Sequence, residues 1–218
     1  MKLLLVLLSG FASSTSAWAY SAKISYLSGD AEVGTSSHLN KATLGSSVGA
    51  GETIKTGRGA LAILTFVDGS QVKLNPESIL VVGDSKENSE ITLLAGGAFA
   101  KVEKQKSGHF SLRTKSASMG VRGTRFFTAY GKEGKKGEDV WMCVDEGTVA
   151  VETPGEKDPV LVKKGFGVFV PAGKKATEPK PYEWTKGLNW NMDAAKGEVA
   201  DHTSMDSGYK DLLKQNYD

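Results

Sequence analysis

Short apolar or alternating runs, each opened by glycine, recur along most of this chain, and no other feature constrains its fold as much. Gly29 to Val33, Gly59 to Val67, Gly97 to Val102, Gly123 to Tyr130, Gly147 to Thr153 and Gly167 to Pro171 are examples. The 26 glycines among 218 residues are about 12% of the chain, against a usual ~7%. They follow no collagen period and fall between apolar runs, where they read as turn residues. Segments near ten residues long, punctuated by turns, predict an all-β sandwich, barrel or solenoid. No stretch from 23 to 175 carries helical periodicity.

Individual runs sharpen this picture. Gly59 to Val67 is apolar on both faces, with Leu61, Ile63 and Val67 on one side and Leu64 and Phe66 on the other, so it should be buried from both sides. Phe110 to Lys115 alternates cleanly and should keep one wet face. Val67 to Leu74 reads as a hairpin turning at Asp68-Gly69-Ser70. Five of the six prolines lie after residue 150, and Pro179-Lys180-Pro181 marks the expected end of the β domain, since such a stretch cannot continue a ladder. Residues 179–218 form a polar, Pro-led tail with Trp184, Trp190 and a short candidate helix at Tyr209 to Asn216. This partly helical tail either packs back through its aromatics or stays mobile.

Residues 1–19 read as a secretory signal: a basic Met1-Lys2, an apolar stretch from Leu3 to Ala12, and Ala17-Trp18-Ala19 as a small-x-small cleavage site. A stretch of ten residues makes about 15 Å of helix, half of a ~30 Å hydrocarbon core. Cleavage after Ala19 is expected, which gives a periplasmic, secreted or surface protein without a transmembrane span. The mature chain then has a single cysteine, Cys143, inside the apolar run Val140 to Val144. It can form no internal disulfide and reads as a core thiol.

Charge and motif content exclude several functions. The formal net charge is +2, and only four of the 27 basic residues are arginine, the side chain best suited to base edges. Nucleic acid is not an expected partner. His38, His109 and His202 are scattered, with no metal-ligand spacing and no Cys nearby. Ser70 lacks a nucleophile elbow, and Asp30, Glu32, Glu52, Asp68 and Glu77 form no spaced carboxylate pair. Gly120-Val121-Arg122-Gly123 lacks the lysine and the strand-to-helix context of a phosphate loop. No enzyme activity, metal or cofactor is expected.

Four ordered stretches resemble a known family. They are Val48-Gly49-Ala50-Gly51-Glu52-Thr53-Ile54-Lys55-Thr56-Gly57; Ala62 to Ser70 with its Asp68-Gly69-Ser70 turn, followed by Val72, Leu74 and Ser78; Gly96-Gly97-Ala98-Phe99; and Ala117 to Phe126 around Gly120-Val121-Arg122-Gly123-Thr124. Together they resemble the FecR domain, named from the iron-dicitrate regulator that senses transport across the bacterial outer membrane. The resemblance spans roughly residues 48–170 within a β domain of 20–178. It implies a non-enzymatic all-β periplasmic domain, a twisted solenoid-like stack or sandwich of short strands. In the regulators that domain follows a cytoplasmic anti-sigma segment and a membrane helix, whereas an export signal is read here in their place. The anti-sigma role is therefore not carried over.

Two site expectations follow. The signature Gly120, Val121, Arg122, Gly123 and Thr124, with Asp68, Gly69 and Ser70, is expected to be structural. Val121 should point inward, both glycines should serve backbone that turns sharply or packs closely, and Arg122 should tie carbonyls or a carboxylate at a strand corner. Separately, residues 101–136 hold ten basic residues against two acidic ones. Lys104, Lys106, Lys115, Lys132, Lys135 and Lys136 form a candidate patch for an anionic glycan or lipopolysaccharide. The expected function is a binding module of the cell envelope recognising an envelope protein or such a polymer. The alternative is a signalling component acting in trans with a membrane-bound regulator.

Overall fold

The computed structural model describes residues 21–83, 89–104, 109–131 and 138–203. Its seventeen strands are β1 (Ala22–Ser28), β2 (Ala31–Thr35), β3 (His38–Lys41), β4 (Ser47–Val48), β5 (Thr53–Thr56), β6 (Leu61–Phe66), β7 (Gln71–Leu74), β8 (Ile79–Val82), β9 (Ser89–Lys101), β10 (Phe110–Arg113), β11 (Ser118–Val121), β12 (Arg125–Tyr130), β13 (Val140–Glu146), β14 (Thr148–Glu152), β15 (Val160–Lys163), β16 (Phe166–Val170) and β17 (Lys180–Pro181). They form two layers. Sheet A runs β4-β1-β6-β7-β9-β12-β13-β16-β17, antiparallel throughout. Sheet B runs β3-β2-β5-β8-β9-β10-β11-β14-β15, with β9 and β10 its one parallel pair.

The long strand β9 belongs to both layers. Ile91 and Leu93 pair with β8 in sheet B, and from Gly96 onward the strand pairs with β12 in sheet A. Elsewhere the chain crosses between layers at tight corners. Every crossing that lies wholly among the described residues carries a positive φ, at Gly29, Gly45, Gly51, Gly59, Gly96, Gly123, Gly147, Gly165 or Glu77. This is why glycines head the apolar runs: each run starts where the chain has just changed layers.

Gly96 shows what such a corner demands. Its φ of 90° is left-handed, and a Cβ there would lie 2.6 Å from the Cα of Ser78. The corner is pinned from outside glycine itself. Ser78 Oγ accepts from the Gly97 amide at 3.0 Å, and Thr56 Oγ1 accepts from the Ser78 amide at 2.9 Å. Buried backbone that leaves a ladder needs such partners.

One apolar cluster lies between the layers, taking Ile24, Leu64, Phe66, Leu74, Phe126 and Met142 from sheet A and Ile54, Leu80, Leu93, Leu112, Met119 and Val149 from sheet B. A second lies on the outer face of sheet A and joins Leu61, Ile63, Phe99, Phe127, Trp141 and Cys143 to Tyr182, Leu188, Met192 and Val199. Strand β6 contributes alternate residues to both clusters, the two-sided burial its sequence implies. Val67 departs from that reading: it lies past the end of β6 and is 66% exposed. The described part of the tail, residues 179–203, packs back as an irregular strap with two short 3-10 turns, Glu183–Gly187 and Ala194–Lys196. The signal segment, its cleavage site and the Tyr209 to Asn216 candidate helix lie outside the described residues. No helix among the described residues is long and apolar enough to cross a membrane.

Candidate functional site: a groove on the outer face of sheet B

The Asp68-Gly69-Ser70 turn supports the site from below. Asp68 Oδ1 accepts from the Ser70 amide at 2.8 Å, closing the turn on itself. Ser70 is fully buried, and its hydroxyl oxygen accepts from the Glu103 amide at 3.2 Å. The Val102 amide donates to the Thr124 carbonyl at 2.8 Å. The segment leaving β9 is thus fixed beside the corner between β11 and β12, and Lys104 is brought against Gly123.

The signature residues divide by role. Val121 and Thr124 are buried, 5% and 3% exposed, and they clamp the corner on either side. Gly123 has φ 65°, and a Cβ there would lie 2.9 Å from Lys104 Cγ, so glycine is required. The other two residues depart from the expectation. A Cβ on Gly120 would meet only the Ala150 carbonyl oxygen, at 4.0 Å, with open space otherwise. Neither packing nor a left-handed backbone calls for glycine at that position. Arg122 is exposed and has no hydrogen bond or ion pair among the described residues, so it is not the expected tie. That role falls to Arg125, whose Nε donates to Asp145 Oδ2 at 2.5 Å.

Gly120 lies in the floor of a groove of about 810 Å³. Its cross-strand row is Ser111, Gly120, Ala150 and Leu161, taken from β10, β11, β14 and β15. Three small side chains keep the row low. Leu161, 56% exposed, supplies an apolar shoulder, and among the described residues β15 pairs with β14 alone. Lys104 and Arg122 line one end and Glu152 the other.

The expected polymer patch falls mostly outside the described residues. Lys106, Lys132, Lys135 and Lys136 lie outside them. Lys115 pairs with Glu138, whose hydrogen bond and charge raise the lysine pKa. Other cations of the segment are paired as well: Lys101 with Glu103 at 3.1 Å, Arg113 with Glu90 at 3.0 Å, and Arg125 with Asp145. Lys104 and Arg122 are the cations of this region with no ion pair among the described residues.

His38, His109 and His202 are exposed and far apart in the sequence, and His202 pairs with Glu198 at 2.8 Å. No group of three or more metal-ligating side chains occurs among the described residues. Cys143 is fully buried, and burial pushes its thiol pKa up, away from reactivity. The residue that sequence reading missed is Lys73, fully buried under the strap. Its signal was present: the outer face of β6 is apolar, so something must cover it, and Lys73 faces Ile63 across the β6–β7 ladder.

The family model described as "FecR protein" matches residues 52–150, which hold the Asp68 turn, the β9 crossing and the signature corner. Those residues form a FecR domain. Two crystal structures of a candidate anti-sigma factor from Parabacteroides distasonis ATCC 8503, at 1.65 and 2.50 Å, share its fold. Each is 19% identical with a TM-score of 0.52. Each match covers 59% of this chain and 59% of the solved chain, less than two thirds of either. No curated protein matches. The strap that covers sheet A lies beyond the residues matched to the FecR domain.

Proposed function

We propose that this chain is a non-catalytic binding module of the bacterial cell envelope, and that it recognises another envelope protein through the sheet B groove. The FecR domain over residues 52–150 carries this reading. The two outer faces support the choice of surface. That of sheet A is covered by the strap, whereas that of sheet B carries no such cover among the described residues, with small residues in its floor and, at its rim, Lys104 and Arg122 without ion pairs among those residues. Gly120 and Arg122 make sense as presented residues, one keeping the floor clear and the other offering five donors to a carboxylate or to backbone carbonyls. An exported, soluble form follows from the signal read in residues 1–19.

A second reading is cell-surface signalling in trans with a membrane-bound regulator. The FecR domain and the likeness in fold to a candidate anti-sigma factor favour it. Crosslinking in intact source cells, followed by capture of this chain, tests both. A discrete envelope protein is the expected partner. A membrane regulator or outer-membrane receptor among the adducts selects the signalling reading, and no envelope adduct at all contradicts the module.

A further inference from the structure

Lys73 is an ammonium in an otherwise apolar setting. It stands in register between Ile63 of β6 and Phe99 of β9 on the outer face of sheet A, and it is fully buried. Burying an unpaired charge costs several kcal/mol, so its surroundings must supply partners. Its Nζ donates to the carbonyls of Asn189 at 2.5 Å, Val199 at 3.0 Å and Asn191 at 3.1 Å. The ring of Phe99 lies beneath it, 4.2 Å from Nζ to the centroid. Three protons meet three carbonyls, with a π-face on the fourth side.

The loop that supplies these carbonyls is shaped by its own side chains. Asn189 Nδ2 donates to the carbonyls of Glu198 and Ala200, at 2.9 and 2.8 Å. Asn191 Nδ2 reaches those of Asp193, Gly197 and Glu198, each at 3.1 Å. Asp201 Oδ1 accepts from the Asn189 amide at 3.1 Å. Its Oδ2 is buried with no hydrogen-bond partner among the described residues, and its negative charge acts on Lys73. The two asparagines brace the loop from within, so its inward carbonyls do not depend on the lysine to be held in place.

We propose that Asn189–Asp201 is a primary-ammonium binding loop, that Lys73 of the FecR domain occupies it in cis, and that this occupancy holds the strap over sheet A. The geometry selects the ligand class. A planar guanidinium cannot direct three donors toward three converging carbonyls, and a quaternary ammonium has no N–H to give. The consequence for the domain is that its second apolar face is closed by a segment beyond the family match, in which a tethered cation adds to the apolar contacts of Tyr182, Leu188, Met192 and Val199.

The test uses the full chain with Lys73→Ala and follows proteolytic clipping within residues 182–203. Clipping should be roughly tenfold faster than in the parent, equivalent to losing about 1.4 kcal/mol of closure. Propylammonium chloride, which replaces the lost amine, should restore protection, and tetramethylammonium chloride at the same ionic strength should not. Parental protection in the variant, no rescue by propylammonium, or equal rescue by both cations each overturns the proposal. If Lys73→Ala does not fold, reductive methylation of the parent chain decides. Lys73 should then react roughly tenfold more slowly than exposed Lys104, and equal rates overturn the proposal.

Discussion

Ser78 occupies the space that a side chain at position 96 would need: a Cβ on Gly96 would lie 2.2 Å from Ser78 Oγ and 2.6 Å from its Cα. The serine is therefore both the steric reason for the glycine and its hydrogen-bond support, since its hydroxyl oxygen holds the Gly97 amide. This pair fixes the point where β9 leaves one layer for the other.

Gly96→Ala should accordingly be among the most damaging single substitutions in the chain. Rotating the serine hydroxyl away does not relieve the contact with its Cα, and φ 90° is strained for alanine. Strain of this kind costs about 1–3 kcal/mol per feature, and two features act together, so a loss of about 3 kcal/mol or more is expected. Thermal or denaturant unfolding measures it. A variant within about 0.5 kcal/mol of the parent would show that the corner is not fixed as described.

Arg122 and Arg125 should separate in a stability measurement. Arg122→Ala removes an exposed side chain without a partner among the described residues, so the melt should hardly move, within about 0.5 kcal/mol. Arg125→Ala removes the half-buried pair with Asp145 and should cost about 1 kcal/mol. Reversal of that order would return Arg122 to the structural tie that its sequence context suggests.

Lys73 also predicts a pH dependence. Burial pushes its pKa down from 10.5 to about 8, with the negative charge of Asp201 opposing the shift. Between those values the unfolded chain binds a proton that the folded chain does not, so stability rises with pH through that window. The cost of burying the cation is present in full below about 8 and is relieved toward 10.5, on the order of 3 kcal/mol. The difference in unfolding free energy between the parent and Lys73→Met isolates this group, because the other titrations cancel. The difference should shift in favour of the parent as pH rises from 8 to 10.5, and a flat difference would place the native pKa at its ordinary value.

The fold was more legible in the sequence than the site was. Glycine-led runs revealed the strands because positive φ at a layer crossing is a local demand that composition records directly. Burial of β6 on both faces was visible in Leu61 to Phe66, and from it the need for a cover on sheet A. The identity of that cover was not readable, because Lys73 and Asn189 meet only through long-range packing and backbone carbonyls leave no trace in residue type. The same limit explains Arg122. Between two glycines it looked like a corner tie, yet which arginine reaches a carboxylate depends on the register shift beside Arg125, which leaves Asp145 of β13 out of the ladder and within its reach. Gly120 was read as a backbone requirement, and only the structure shows that the space above it is open.

The central claim is that the sheet B groove is the partner face, and a photo-crosslinking residue placed at Leu161 tests it most directly in intact source cells. The account predicts a discrete adduct with an envelope protein from position 161, none from a control at exposed Leu44, and loss of the adduct when Gly120→Trp fills the groove floor. The same adduct from both positions, or an adduct at 161 that survives Gly120→Trp, would contradict it.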